Sequence, residues 1–314
     1  MKSLAFAAGL IAVMLVGSAQ AETTLIVGDQ KGNSRAVMEA SGVLKDVPYK
    51  IEWKEFPAAA PLLEALGAGA IETGLVGDAP FTFAAAANVP VKAIGAIKQT
   101  QEGLAIVVPK DSAIKSFDDL KGKKIATGRG SIGHQLILAA LEKKGWTQND
   151  VQIVFLAPSD AKVAYTRGSV DAWSTWEPYV SQEEVLFQSK RILTAEGLSA
   201  GLSLQVATPE AIKTKRAELE DYLRRLTAAR IWALSNQQSY ADTWGKLMRI
   251  PTEVPLAWLQ RAKIKISPID DGVVADEQKT IDLYERNGLI KQKLDANEIM
   301  DRSFNGVIEK AAGL

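Results

Sequence analysis

The sequence predicts an α/β protein of two lobes with a cleft between them, and three observations support this prediction. From residue 24 to residue 97, short β-branched runs that end near glycine alternate with helical segments, which is typical of a mainly parallel sheet flanked by helices. The same alternation restarts at residue 104, and the chain after residue 208 is almost entirely helical. The 314 residues are enough for two domains.

The first lobe is predicted from residues 22–103 together with 208–314. Its strands are predicted at 24–28, 49–56, 73–77 and 91–97, and its early helices at 34–40, 61–68 and from 80 onward. Thr208, followed by Pro209, is a good N-cap for the helical tail. Tail helices are predicted at 211–236, 240–249, 253–263 and 276–287, and they are expected to pack on the first lobe.

The second lobe is predicted from residues 104–207. Its strands are predicted at 104–108, 124–127, 151–156, 170–175 and 191–194, with a helix at 131–144. Ser116 and Thr147 each stand three residues before an aspartate, the spacing of a capping box. The chain is expected to cross between the lobes near residues 102–109 and 204–208, and such clefts close around a ligand by hinge motion.

The first 21 residues carry the pattern of an export signal. A positive start at Lys2 precedes an apolar run at 4–17, which is shorter than a membrane span, and an A-x-A pattern ends at Ala21. We therefore expect cleavage after Ala21 and a periplasmic protein.

The composition argues against several classes of protein. Lys and Arg number 37, as do Asp and Glu, so a nucleic-acid surface is not favoured. Cysteine is absent, which removes disulfides, thiolate metal sites and a lipid attachment point, so no direct membrane anchor is expected. With a single histidine, the usual zinc and iron sites are also excluded. We expect no cofactor and no metal.

Residues 128–133 read Gly-Arg-Gly-Ser-Ile-Gly, a literal G-x-G-x-x-G between a predicted strand and a predicted helix. A dinucleotide site would need an acidic residue after the next strand, and Asp160 is only a loose candidate. Glycine also lets amide N–H groups converge at a helix N-terminus, which attracts any small anion. A purely structural turn capped by Ser131 is the third interpretation.

Two further strand–loop–helix junctions favour the anion site. They lie at residues 28–33 and 77–80, and the carboxyl ends of strands are where α/β folds bind ligands. Trp173 and Trp176, at the end of a predicted strand, offer flat apolar walls for an organic ligand, although both could equally be core residues.

Catalysis is poorly supported, and we expect no enzyme. A catalytic triad would need His134, and residues 129–133 fail the G-x-S-x-G pattern at its first glycine. An exported enzyme that uses His134 remains the alternative from a different class.

Several motifs together resemble the aliphatic sulfonate-binding proteins of ABC importers, within the nitrate, sulfonate and taurine group. They include Gln30-Lys31-Gly32, Gly77-Asp78-Ala79-Pro80, Gly130-Ser131 with His134, Pro158-Ser159-Asp160-Ala161 and Trp173 with Trp176. The resemblance covers nearly the whole mature chain and implies a two-lobed type II periplasmic binding protein fold. It also implies capture of an organosulfonate or sulfate ester, for sulfur uptake through a membrane permease and its ATPase.

The resemblance and the junctions together nominate a set of ligand-binding residues. Backbone N–H groups near Gly32, Ala79 and Gly130 would bind the sulfonate oxygens, and the tryptophans would line the tail. The full set is Gln30, Lys31, Gly32, Asn33, Asp78, Ala79, Arg129, Gly130, Ser131, Ile132, His134, Trp173, Trp176 and Glu177.

Taurine, nitrate and bicarbonate carriers of the same group remain alternatives. Nitrate and bicarbonate have no tail for the tryptophans to contact. Taurine's ammonium would need acidic partners, for which Asp78 and Glu177 are the candidates.

Overall fold

The structure, a computed structural model, describes residues 23–314 as two mixed sheets flanked by helices. The predicted export signal lies outside the described residues. Within residues 23–314, no helix combines the length and the apolar character that a membrane crossing requires.

The six-stranded sheet has the order β11-β4-β10-β3-β1-β2. β1, β2 and β3 pair in parallel, β4 has the same direction, and β10 and β11 run against them. The strands are β1 (Thr24–Gln30), β2 (Lys50–Phe56), β3 (Thr73–Gly77), β4 (Lys92–Lys98), β10 (Leu202–Ala207) and β11 (Lys265–Ser267). Four of the six strands therefore share one direction, as predicted, and β10 and β11 make the sheet mixed.

The five-stranded sheet has the order β7-β6-β8-β5-β9. Four strands share one direction, and β5 runs against its neighbours β8 and β9. The strands are β5 (Leu104–Val108), β6 (Lys124–Thr127), β7 (Gln152–Phe155), β8 (Ala172–Trp176) and β9 (Lys190–Thr194).

Twelve α-helices cover the two sheets in the described part of the chain. They are α1 (Asn33–Ser41), α2 (Ala59–Gly67), α3 (Asp78–Ala86), α4 (Ile132–Lys144), α5 (Pro158–Thr166), α6 (Tyr179–Phe187), α7 (Pro209–Thr214), α8 (Arg216–Ser235), α9 (Gln237–Met248), α10 (Glu253–Ala262), α11 (Asp271–Arg286) and α12 (Asn305–Ala312). Thr208 caps α7 as predicted, and Ser116 and Thr147 form capping boxes on short 3₁₀ turns.

Apolar side chains fill both faces of each sheet. On the six-stranded sheet, α2, α3 and α11 cover one face, and α1, α8, α9 and α10 cover the other. On the five-stranded sheet, α4 covers one face and α5 and α6 cover the other. We call each sheet with its helices the six-stranded unit and the five-stranded unit.

The predicted second lobe ends too late at residue 207. β10 hydrogen-bonds between β3 and β4 in the six-stranded sheet, so the chain has already crossed back between β9 and β10. Residues 202–207 were not predicted as a strand, although their apolar and polar residues alternate from Leu202 to Val206. The rest of the predicted division into lobes, and their hinge motion, stays a prediction.

The C-terminal helices contact both units, which was not predicted. α10 packs on α6 and α11 packs on α4, in addition to their contacts with the six-stranded unit. The Tyr284 hydroxyl in α11 donates to the Ser131 carbonyl at 3.1 Å. The helical tail therefore bridges the two units instead of packing only on the first.

Candidate binding site

A cavity of about 600 Å³ lies between the two sheets. Its wall includes the carboxyl ends of β1, β3, β7 and β8, the loop that follows β6, and the first turns of α1, α3, α4 and α5. The three junctions singled out in the sequence therefore line one cavity. Ten of the fourteen nominated residues lie in its wall: Gln30, Lys31, Asn33, Asp78, Arg129, Gly130, Ser131, Ile132, Trp176 and Glu177.

The β1–α1 junction turns through two left-handed residues. Lys31 has φ 53° and Gly32 has φ 74°, a region that favours glycine. The buried Asp29 carboxylate accepts the Ser34 N–H at 2.9 Å, and burial raises the pKa of Asp29 to about 6 against the opposing effect of the Ser34 and Arg35 amides. The Asp29 carboxylate thus stabilises the junction through this hydrogen bond.

Arg230, in α8, reaches the same junction from the helical tail and lines the cavity. Its side chain is 3% exposed. One terminal nitrogen lies 3.4 Å from Asn33 Oδ1 and 3.5 Å from Ser34 Oγ, both long contacts. Its Nε has no hydrogen-bond partner among residues 23–314. Burial lowers the pKa of the Arg230 guanidinium.

At the β3–α3 junction the polar groups are already engaged. Asp78 Oδ2 accepts from Gln135 Nε2 at 2.9 Å and from Thr280 Oγ1 at 2.7 Å. Burial raises the pKa of Asp78, and the hydrogen bonds from Gln135 and Thr280 oppose that rise. Ala79 itself is fully buried and is not part of the cavity wall.

The β6–α4 junction is held mostly by its own hydrogen bonds. Ser131 Oγ donates to the Gly128 carbonyl at 2.7 Å and accepts the His134 N–H at 3.2 Å. The Gly130 N–H donates to His134 Nδ1 at 3.2 Å. The structural interpretation of this turn, with Ser131 as the helix cap, therefore accounts for the serine side chain and the Gly130 amide.

Close packing explains two glycines of this motif. A Cβ at Gly130, whose φ is 68°, would lie 2.6 Å from the Phe83 ring, and one at Gly133 would lie 2.5 Å from the Ser174 carbonyl. Gly130 therefore lets the loop contact α3 of the other unit, and Gly133 lets α4 approach β8.

His134 is a core residue and not part of the cavity wall. Its side chain is 1% exposed, and the Phe155 ring meets it edge-on at 4.9 Å. Burial, with a smaller effect of Arg129, lowers the pKa of His134 to about 4. Since Nδ1 accepts a hydrogen bond, the neutral ring carries its proton on Nε2, which has no partner in the described chain.

The two tryptophans separate. Trp176 lines the cavity, whereas Trp173 is 1% exposed and packs against Tyr165 and Tyr179 in the core. Trp173 is the second residue of β8, and its side chain lies on the face that α5 and α6 cover. The nomination of Trp173 as a wall residue therefore does not match the cavity.

Glu177 is in the cavity wall but is fully engaged. Its Oε1 accepts from Arg261 at 2.6 Å, and its Oε2 accepts the Ser181 N–H at 3.0 Å. Burial raises the pKa of Glu177, with Arg261 opposing the rise. Gly32 is absent from the wall, although its neighbours Lys31 and Asn33 belong to it.

Several wall residues were missed in the sequence. Aromatic rings from four elements complete the apolar wall: Phe83, Phe155, Trp244 and Trp258. Trp244 donates from its indole nitrogen to the Lys31 carbonyl at 2.6 Å. A signal for Arg230 existed, because it stands four residues after Leu226 and three before Ala233 on the buried face of α8. A cation on an apolar helix face indicates a buried partner or a ligand.

Among residues 23–314, no three His, Asp or Glu side chains are grouped so that they could hold a metal ion.

Comparison with known proteins shows which family and which solved structures this chain resembles. The family model described as NMT1/THI5 like matches residues 50–239. The putative aliphatic sulfonates-binding protein of Escherichia coli K12 is 32% identical over 297 residues, which cover 93% of each chain. The solved alkanesulfonate-binding protein SsuA from Xanthomonas axonopodis pv. citri, bound to MOPS, is 28% identical with a TM-score of 0.84, over 90% of this chain and all of that one.

A second solved structure agrees. The periplasmic aliphatic sulphonate binding protein SsuA from Escherichia coli is 31% identical with a TM-score of 0.78, over 88% of this chain and 91% of that one. The fold and the family expected from the sequence are confirmed.

Proposed function

The chain belongs to the NMT1/THI5-like family, and from this premise we propose that it is the solute-binding component of an ABC importer, binding an organosulfonate or a sulfate ester. The observation that carries the proposal is the cavity, which combines helix N-termini at the ends of parallel strands with aromatic walls. A sulfonate is a monoanion with three acceptor oxygens and no proton near neutral pH, so N–H donors suit it. Its organic tail suits the walls.

Asp78 and Glu177, the candidate partners for the ammonium group of taurine, are both already paired, which argues against taurine. Asp78 accepts hydrogen bonds from Gln135 and Thr280, and Glu177 is paired with Arg261. An ammonium group would have to displace these buried contacts. The ammonium would then lose its hydration without gaining a carboxylate that is free to pair with it. We propose a tail without a positive charge.

Nitrate and bicarbonate fit the cavity poorly. Either ion would occupy a small part of about 600 Å³ and leave Phe83, Phe155 and Trp176 without a ligand to contact. An organic tail uses that apolar area, at about 25 cal/mol for each Å² removed from water.

An enzyme that uses His134 as a base is the weaker alternative. A general base needs a free lone pair within reach of its substrate. Nδ1 already accepts from Gly130, Nε2 carries the proton, and the ring is buried outside the cavity. The relatives described above are named as binding proteins.

We further propose that the protein works in the periplasm and delivers its ligand to a membrane permease driven by an ATPase. The predicted export signal and the periplasmic relative from Escherichia coli support this location.

The test is a thermal unfolding series on the refolded, ligand-free mature protein. Ethanesulfonate and taurine form a matched pair that differs by the ammonium group, and pentane-1-sulfonate, an aryl sulfonate, an alkyl sulfate, inorganic sulfate and nitrate complete the panel. We expect the organic sulfonates or the sulfate ester to stabilise the protein by ~2.7 kcal/mol at a hundredfold excess over Kd. Stabilisation by taurine above ethanesulfonate, or by inorganic anions alone, would contradict the proposal.

A further inference from the structure

We infer that Arg230 and the first turn of α1 bind the anionic headgroup, so that the glycine-rich loop of residues 128–133 contacts the organic part of the ligand. The inference rests on the proposed function, and it specifies which end of the cavity binds the negative charge of the ligand. None of the nominated ligand residues came from the helical tail, so this assigns a binding role to α8.

Arg230 is a buried cation that forms no ion pair within residues 23–314. It is 3% exposed, its Nε lacks a partner in the described chain, and its two hydrogen bonds are 3.4 and 3.5 Å long. Buried charges are normally paired and hydrogen-bonded, because desolvation is costly. Arg261 illustrates the ordinary case, since it contacts Glu177 at 2.6 Å and Glu184 at 2.8 Å. Within residues 23–314, the Arg230 guanidinium therefore has only two long hydrogen bonds, and an anion would supply the further acceptors.

The helix that Arg230 touches also offers amide donors. The N–H groups of Gly32 and Asn33 donate to no protein atom among residues 23–314. They belong to the N-terminus of α1, a helix of nine residues with the positive end of its dipole at this point. Asn33 lines the cavity beside Lys31. Free amides and a guanidinium fork therefore meet at one place.

Several donors at the other two junctions are not available to a ligand. The Ala79 backbone is buried and lies outside the cavity wall. At the β6–α4 junction, the Gly130 amide donates to His134 and the Ser131 amide donates to the Gly128 carbonyl, at 3.2 Å each. These two hydrogen bonds would have to break before the Gly130 and Ser131 amides could bind sulfonate oxygens. The Arg129 side chain also lines the cavity but is exposed, in contrast to the buried Arg230.

The Asp29 carboxylate balances the charge of Arg230 but does not hydrogen-bond to the guanidinium. The carboxylate accepts from the Ser34 amide, and the pKa of Asp29, about 6, includes a lowering effect of Arg230. Within the described residues, no hydrogen bond joins the side chains of Asp29 and Arg230. A ligand oxygen can therefore accept hydrogen bonds from the guanidinium without displacing Asp29. A sulfonate fits this place, because it accepts from both Arg230 and the α1 amides.

The experiment measures the Kd of pentane-1-sulfonate by calorimetry for the mature protein and four variants. Arg230→Met removes the charge and keeps the length of the stem, and we expect Kd to rise about 30-fold or more. Arg230→Lys keeps the charge but loses the fork, and we expect a rise of about 5-fold. Arg224→Gln, an exposed change on the same helix, should leave Kd within about 2-fold.

The fourth variant is Asp29→Asn with Arg230→Met, which keeps the buried charge balanced if Arg230→Met alone fails to fold. Folded and non-binding protein supports the inference, whereas binding like that of the wild type by either Met variant overturns it and leaves the proposed function intact. Failure of the unmodified protein to bind any organosulfur anion overturns the proposed function itself.

A structure of the complex decides independently of the variants. Sulfonate oxygens within about 3.2 Å of the Arg230 guanidinium support the inference, and sulfonate oxygens on the Ser131 and Ile132 amides overturn it.

Discussion

Burial of His134 decides whether this residue can act as a ligand-binding group or a base. It is the chain's only histidine, it lies beside the glycine-rich loop, and it looked like a ligand or a base. In the structure its Nδ1 holds the Gly130 amide and its ring packs against Phe155. Burial lowers its pKa to about 4 from 6.5, so the neutral imidazole acts as a hydrogen-bond acceptor that shapes the loop.

The pKa of His134 predicts a loss of stability in mild acid. The unfolded chain binds a proton near pH 6.5 and the folded chain only near pH 4, so stability is present above pH 6.5 and falls as the pH drops through that window. At pH 5 the loss is ~2 kcal/mol. Urea unfolding at pH 7.5 and pH 5.0 should show this loss in the wild type and not in His134→Asn, whose side-chain oxygen can still accept from Gly130.

The comparison with His134→Asn isolates the histidine from buried carboxyl groups such as Asp29, whose raised pKa acts in the opposite direction. Because there is one histidine, its imidazole proton signals can be followed by NMR without assignment. Titration near pH 6.5 in the folded protein would contradict the prediction.

Helix α4 illustrates how one element depends on a single position. It begins at the mouth of the cavity, and its second turn packs Leu138 into the core of the six-stranded unit. Gly133 brings its first turn against β8, where the Ser174 hydroxyl donates to the Gly133 carbonyl at 2.7 Å. The close helix–strand contact, and not a dinucleotide, explains the last glycine of the G-x-G-x-x-G pattern.

Gly133→Ala should destabilise the protein by ~3 kcal/mol or more. The added Cβ would meet both the Ser174 carbonyl and Thr127 Oγ1 at 2.5 Å, and a backbone carbonyl cannot move without shifting β8. Denaturant unfolding of the variant measures the loss.

Gly306→Ala is the matched control. Gly306 lies in the first turn of α12, and a Cβ there meets no atom within 4 Å. The expected change is neutral or a gain of up to ~1 kcal/mol, because alanine favours a helix. Equal stability of Gly133→Ala and Gly306→Ala would show that α4 and β8 separate more easily than the structure indicates.

Across the whole molecule, polar contacts tie the two units together on both sides of the cavity. On one side, Gln135 in α4 contacts Asp78 and Thr280 of the six-stranded unit. On the other, Arg261 in α10 binds Glu177 and Ser181 at the start of α6. Any opening of the cavity to admit a ligand must break one set, and the Arg261 contacts adjoin the cavity wall at Glu177.

Arg261→Met should therefore accelerate the release of a bound sulfonate and weaken its binding about 10-fold. The side chains of Arg261 and Glu177 are 16% and 6% exposed, so water screens their pairing little. Stopped-flow dissociation of pentane-1-sulfonate measures the effect.

Arg286→Met provides the control, because Arg286 also joins the units, through Glu142, but with side chains 57% and 38% exposed. Exposed pairs contribute little, and its dissociation rate should match the wild type. The same rate for both variants would mean that the Arg261 contact does not hold the closed arrangement.

The sequence by itself determined the local structure and the family. β3, β5 and β6 begin and end where the pattern predicted, and both capping boxes form, because β-branched runs, glycine and capping hydroxyls act over a few residues. The three strand–helix junctions were also visible, since the signal for each lies within six residues or so of chain.

Only the tertiary structure decided which groups at those junctions remain available. The Ser131 hydroxyl and the Gly130 amide are already hydrogen-bonded within their own loop, whereas Arg230 arrives from nearly two hundred residues beyond Asn33. Strand β10 likewise belongs to a sheet begun far earlier in the chain. Burial and pairing depend on contacts between distant segments, and local sequence patterns carry no record of them.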